Sequence, residues 1–106
     1  MIDEFIKAIR EKKKVRISFY SEQDQTVLIK KCAPLDYGHR PDAKRKIDKY
    51  YLWDYEGEPR AHPLGLKPEQ IETIKFLEES FNPSEFVKWN TTRKPWIVKR
   101  DWGIYS

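Results

Sequence analysis

The stretch Lys49-Tyr50-Tyr51-Leu52-Trp53-Asp54-Tyr55-Glu56-Gly57 decides how this chain of 106 residues is interpreted. Tyr50 and Leu52 fall on one face of an alternating pattern, and Tyr51, Trp53 and Tyr55 fall on the other, which predicts a strand. Gly57 permits the backbone of a tight turn. Residues 60–66 are predicted to return as the partner strand, and Pro63 confines that strand to a sheet edge because it lacks an N–H.

Before this stretch, the sequence predicts a helix and two strands. Apolar residues recur at helical spacing over residues 2–9. Residues 15–20 and 26–32 alternate apolar and polar side chains, as strands do, and Pro34 is predicted to end the second strand. Residues 39–49 have no periodic pattern, so we expect a projecting loop.

After this stretch, apolar residues spaced by three and four over residues 68–81 predict an amphipathic helix. Residues 82–86 match the N-terminal cap of a second, short helix. Residues 96–101 alternate and predict a final strand. We expect a single domain in which residues 1–81 form the barrel with its flanking helices and residues 82–106 form a C-terminal extension.

The order of these elements, with the Pro-Leu-Asp-Tyr-Gly loop at residues 34–38 and the Tyr50-Tyr51-Leu52 strand, resembles the WYL domain. Such domains are Sm-like or SH3-like β-barrels that serve mostly as ligand-sensing modules in transcription regulation and defence. The resemblance implies a mainly β fold with flanking helices (α+β): a small antiparallel barrel, an N-terminal helix and a C-terminal helical extension. No helix-turn-helix precedes it, so we expect a free-standing member.

Composition and charge narrow the possible functions. The net charge is +4 and the pI is near 9.1, and the positive residues concentrate in the first half and the tail. A fold that joins these segments would present one basic face, attractive to phosphate. Cys32 is the only cysteine, and the chain has no 18-residue apolar run, so we expect a cytoplasmic protein with no membrane role.

Few residues suggest catalysis or metal binding. The separations of Cys32, His39 and His62 match no zinc motif, so we expect neither a metal nor a cofactor. Carboxylates near Gly57 alternate around a turn and leave a hydrolase or nuclease as a weak alternative. We therefore expect that the protein is not an enzyme.

The predicted function is a non-catalytic regulatory or binding module that recognises nucleic acid or a nucleotide-like ligand. Cations would neutralise phosphate, and aromatic side chains would stack on bases. The resemblance to the family implies that Arg16, Tyr20, Tyr37, His39 and Arg40 belong to such a site. The full predicted site is Arg16, Tyr20, Lys31, Tyr37, His39, Arg40, Lys44, Arg45, Lys46, Tyr51 and Trp53.

Two alternatives remain open. Trp89, Trp96 and Trp102 interleave with basic residues in the tail, and they either close the core, which we favour, or form a stacking platform. The whole chain could instead be a protein–protein interaction adaptor with an SH3-like fold, because exposed Tyr, Trp and Arg are typical of such interfaces. The oligomeric state, the ligand and the choice between DNA and RNA stay open.

Overall fold

Helix α1 (Ile2–Glu11) begins the fold and packs against the sheet that follows it. The computed structural model describes residues 1–106. Five strands, β1 (Lys13–Ser21), β2 (Thr26–Gly38), β3 (Lys49–Asp54), β4 (His62–Leu66) and β5 (Ile71–Ser80), form one antiparallel sheet in the order β4-β3-β2-β1-β5. No helix in the structure is long and apolar enough to cross a membrane.

Helix α1 confirms the pattern at the start of the chain. Its first turn carries acidic residues and its last turn carries Arg10, which suits the helix dipole. Phe5 and Ile9 are fully buried. Lys12 ends the helix in the left-handed conformation, and its N–H donates to the carbonyl groups of Ala8 and Ile9.

The predicted mainly β architecture is confirmed, but the predicted closed barrel is wrong. The sheet has two free edges, since β4 and β5 do not pair. β4 has only five residues and contains Pro63, which cannot donate to a further ladder. β5 is interrupted by two register shifts. Neither edge is therefore suited to a regular closing ladder.

Residues 71–80 form strand β5 where we predicted a helix. Ser18 pairs with Thr73 and Phe19 with Ile71, so one extra residue is accommodated on β5 as a bulge. This bulge brings Ile71 and Ile74, three residues apart, onto the same face of the sheet. The helix-like spacing thus arises from an irregular strand, and only one 3₁₀ turn (Pro68–Gln70) precedes it.

Pro34 does not end β2, contrary to our prediction. β2 pairs with β1 only as far as Cys32, and from there to Gly38 it pairs with β3. Pro34 lies past the last β1 pair and beside a register shift, where the strand has one neighbour and tolerates a missing N–H. One long strand therefore joins both halves of the sheet.

The C-terminal segment is not the predicted helical extension. The Asn82 cap forms as expected, with its side chain accepting from the Ser84 N–H at 3.0 Å, but only one 3₁₀ turn (Pro83–Glu85) follows. The predicted strand at residues 96–101 is also absent. The N–H groups of Ile97 and Val98 donate to the Asp36 carboxylate, so they are not available to a β-ladder.

The core joins the sheet to the C-terminal segment. Its buried side chains come from α1, from strands β1 to β4, and from Phe81, Phe86, Val87 and Trp102. The Trp102 ring meets Phe81 edge-on at 5.6 Å, and its Nε1 donates to the Ile9 carbonyl at 2.9 Å. The prediction that tail aromatics close the core is confirmed for Trp102.

A substitution at Gly38 would test how closely the tail packs on β2. Gly38 has a φ of +123°, and an added Cβ would lie 2.9 Å from Ile97 Cγ2. We expect Gly38→Ala to lower the free energy of unfolding by about 3 kcal/mol, through backbone strain and overpacking. The measurement is urea denaturation.

Gly103→Ala is the matched control, because Gly103 also has a positive φ, of +60°, but faces open space. Gly103→Ala should lower the free energy of unfolding by only about 1 kcal/mol, from backbone strain alone. Equal losses at the two glycines would show that the Ile97 contact contributes nothing.

Candidate nucleic-acid interface

A cleft of about 740 Å³ lies between the loop of residues 39–48, strand β3 and the C-terminal segment. We call it the basic cleft. It is lined by one histidine, His39, and by two carboxylates, Asp36 and Asp42. Its walls also carry three aromatic side chains and five cations. These are Tyr51, Trp89 and Trp96, with Arg40, Arg45, Lys49, Lys67 and Lys94.

Asp36, one of the residues that line the cleft, forms an ion pair with Arg100, which does not line it. The Arg100 side chain is 0% exposed and that of Asp36 is 7% exposed, with Nη2 3.1 Å from Oδ1. Arg100 also donates to the Leu35 carbonyl. Burial lowers the pKa of Arg100 to about 10 and Asp36 opposes this shift, so the guanidinium remains charged at neutral pH.

Two tryptophans enclose the Arg100 guanidinium. Its carbon lies 4.0 Å from the centroid of Trp96 and 4.4 Å from that of Trp102, at cation–π distance. Trp96 Nε1 donates to the Tyr105 carbonyl at 2.8 Å, and Trp89 meets the Trp96 ring edge-on at 5.3 Å. Trp96 is therefore held in place as a wall of the cleft.

The loop of residues 39–48 is tied to itself and to the tail. His39 Nδ1 lies 2.6 Å from the Asp48 carboxylate, and Lys46 Nζ donates to the Pro41 carbonyl at 2.7 Å. Arg40 reaches across to the Pro95 carbonyl at 3.4 Å. The predicted loop is thus present, and it forms the outer wall of the cleft.

Tyr51 reaches the cleft across the neighbouring strand. It pairs with Gly65 on β4, where an added Cβ would lie 3.1 Å from Tyr51 Cε1. The missing side chain at Gly65 lets the half-buried ring lie close to the sheet. Tyr51 packs against the core and also lines the cleft.

The structure brings four of the predicted site residues to the cleft: His39, Arg40, Arg45 and Tyr51. Lys44 and Lys46 are exposed on the same loop without lining the cleft.

The other predicted site residues lie elsewhere. The Tyr37 ring packs on Tyr50 at 4.9 Å, and desolvation raises its pKa. The Trp53 ring stacks on Phe86 at 5.6 Å. Arg16, Tyr20 and Lys31 lie on strands β1 and β2, away from the cleft. The basic segments therefore do not form the single basic face that we expected.

Several lining residues were not among those predicted. Trp89, Trp96 and Lys94 belong to the tail, whose cations we expected on one face with the loop but whose tryptophans we expected in the core. Lys49 and Lys67 are isolated cations at strand ends. Nothing in the local sequence marks Asp36 as buried, because its partners in the tail are more than sixty residues away.

The remaining reactive side chains have local roles. His62 Nδ1 lies 3.0 Å from the Arg60 carbonyl, as expected for a histidine bonded to nearby backbone. Cys32 is fully buried, and this desolvation raises the pKa of its thiol. No group of three or more His, Cys, Asp or Glu side chains is arranged to hold a metal ion.

The chain is similar to part of a known enzyme. The chain is 31% identical over 94 residues to the tRNA(Met) cytidine acetate ligase of Caldicellulosiruptor saccharolyticus. The match covers 85% of this chain and only 23% of the relative. No protein-family model and no solved structure matches the chain, so the resemblance to the WYL domain stays a prediction.

This match corrects one expectation. From the lack of catalytic motifs we predicted that the protein is not an enzyme, and the relative is named as a ligase. The prediction that the protein is not an enzyme failed because it considered only the catalytic motifs present in these 106 residues. A segment that matches 23% of an enzyme need not carry the motifs of the remainder.

The Asp36–Arg100 pair yields a stability prediction. Arg100→Met leaves a buried carboxylate without its counter-ion, which should lower the free energy of unfolding by about 3–5 kcal/mol. Arg100→Lys should restore only part of this, because an ammonium lacks the planar fork of donors and the guanidinium plane that lies against Trp96 and Trp102. Urea denaturation measures both losses.

Arg93→Met is the control, since Arg93 is exposed on the same segment. We expect its effect to stay within about 0.5 kcal/mol. If Arg100→Met were equally mild, the ion pair would not hold the tail in place.

Proposed function

We propose that the basic cleft binds RNA and that this chain is an RNA-binding part of a protein that acts on tRNA. The observation that carries the proposal is the clustering of five cations and three aromatic side chains around one cleft. The relative supports the choice of tRNA, because its name states that tRNA is what it acts on. A cytoplasmic location, expected from the sequence, agrees with this role.

The cations of the cleft would provide affinity. Arg40 and Arg45 lie on the loop and Lys49 at the start of β3, while Lys67 directly follows β4 and Lys94 lies on the tail. Cations placed around a cleft neutralise consecutive phosphates of a strand that enters it, and binding then releases counterions. The affinity should therefore fall steeply as salt is added.

The aromatic walls would select unpaired RNA. Proteins recognise RNA sequences mainly in loops and single strands, where bases are free to stack on aromatic side chains. Tyr51 and Trp96 both line the cleft, and its volume of about 740 Å³ is in the range of small-molecule sites. We expect one or two unstacked nucleotides to enter. A nucleotide-like small ligand would use the same groups.

Loss of cleft cations provides the first test. Arg40→Gln/Arg45→Gln should weaken binding of labelled tRNA about tenfold at low salt and reduce the slope of log K against log[salt] by about 1.4, at roughly 0.7 per phosphate of a single strand. Fluorescence anisotropy across a salt series measures both quantities.

Lys7→Gln/Lys88→Gln is the matched control. It removes the same charge from exposed positions outside the cleft. It should leave affinity and slope near their original values. If the wild-type protein shows no tRNA binding at low salt, or if both double variants weaken binding equally, the proposed function is wrong.

Stacking provides the second test. Tyr51→Ala should weaken binding to a single-stranded RNA by about 1–3 kcal/mol, the usual contribution of one stacked base, while Tyr51→Phe should retain it. Circular dichroism of both variants checks that the fold is intact. Equal affinity for the alanine and phenylalanine variants would remove Tyr51 from the site.

A further inference from the structure

Three cations that do not line the cleft lie side by side on the sheet. Arg16 on β1 pairs directly with Lys31 on β2 and with Lys75 on β5. Val15 and Ile17, the neighbours of Arg16, are fully buried, so alternation places the three cations on the outer face. We call Lys31, Arg16 and Lys75 the cation row.

The cation row is electrostatically unfavourable in the isolated chain. Side chains directly opposite each other on adjacent strands are close, and like charges in these positions destabilise a sheet. No ion pair in the structure includes Arg16 or Lys75. Packing does not explain the row either, because Arg16 and Lys75 are both exposed.

Glu79 compensates only one end of the row. Its carboxylate lies 2.9 Å from Lys31 Nζ and 2.7 Å from Lys14 Nζ. Hydrogen bonds from Lys14 and Lys31 lower the pKa of Glu79 to about 2, so it remains ionised. Lys14 also lies over the Tyr55 ring, 4.5 Å from its centroid. This end of the row is therefore fixed, and the other two cations are free to bind an anion.

The same outer face continues as an exposed apolar surface. Tyr20 is 42% exposed and pairs with Val27, and Ile29 is 64% exposed beside Ser18. A flat sheet face with a tyrosine at one end and cations at the other suits a nucleic-acid strand, whose bases stack and whose phosphates need counter-charges.

We propose that the cation row is a second nucleic-acid contact, which binds the phosphate backbone of an RNA strand while Tyr20 stacks on one of its bases. None of these residues lines the basic cleft, so the row adds a site. The inference rests on the proposed function in one respect, since we take the RNA to be the one that enters the cleft. Bound phosphates would relieve the repulsion among the three cations.

The test compares charge removal at the row with charge removal elsewhere. Arg16→Gln/Lys75→Gln should fold as well as the wild type, because it removes repulsion and no ion pair. With labelled tRNA, the slope of log K against log[salt] should fall by about 1.4 to 1.8, at 0.7 to 0.9 per phosphate. Lys7→Gln/Lys88→Gln, with the same charge loss, should leave the slope unchanged. No change in the row variant, or an equal change in both, overturns the proposal.

Combining the row and cleft variants separates the two proposals. If Arg40→Gln/Arg45→Gln retains full affinity and Arg16→Gln/Lys75→Gln does not, the row is supported and the cleft proposal fails. If only the cleft variant loses affinity, the row is overturned and the cleft stands. Additive losses in the quadruple variant support both. Poly-L-glutamate that competes with tRNA as well as unlabelled RNA does would overturn nucleic acid as the partner of the row.

Discussion

The buried carboxylate of Asp36 is the constraint on which the rest of the structure depends. It accepts hydrogen bonds from the N–H groups of Ile97 and Val98 and pairs with Arg100. The tail forms no β-ladder, and this one side chain of β2 holds it against the sheet instead. This attachment also places Trp96 between Arg100 and the cleft. The buried Asp36–Arg100 ion pair therefore also determines the shape of the candidate site. A buried pair of this kind adds little net stability but makes the loss of either partner costly.

The parts of the fold that sequence patterns predicted are those that local physics determines. The apolar spacing in α1 and the alternation of side chains in β1 and β3 depend only on residues a few positions apart. Pro63 predicts an edge strand because it lacks an N–H to donate to a neighbouring strand. β5 was missed because its bulges depend on the register against β1. The cleft was half predicted for the same reason: His39, Arg40, Arg45 and Tyr51 come from one region, and the tail residues join them through contacts between distant residues, such as those of Asp36.

The positive charge of the chain has a more specific arrangement than its total suggests. Net charge alone indicates attraction to anions and little else. In the folded chain five cations line a concave cleft with aromatic walls, and three more form a row on the outer face of the sheet, where Glu79 pairs with one of them. A cleft suits unpaired nucleotides and a row suits a backbone. The partial match to a tRNA(Met) cytidine acetate ligase is the reason that we propose RNA as the ligand of both arrangements.

The contact between Trp102 and the Ile9 carbonyl also has a consequence for how the protein is made. The two residues are 93 positions apart, and Arg100 is 64 positions from Asp36. A ribosome must therefore synthesise nearly the whole stretch before either contact forms, and until then Asp36 lacks its counter-ion and part of the apolar surface of α1 stays uncovered. Such non-local closure slows folding and lengthens the exposure of the nascent chain to aggregation. The cleft is thus completed last, after its loop and strands have already emerged.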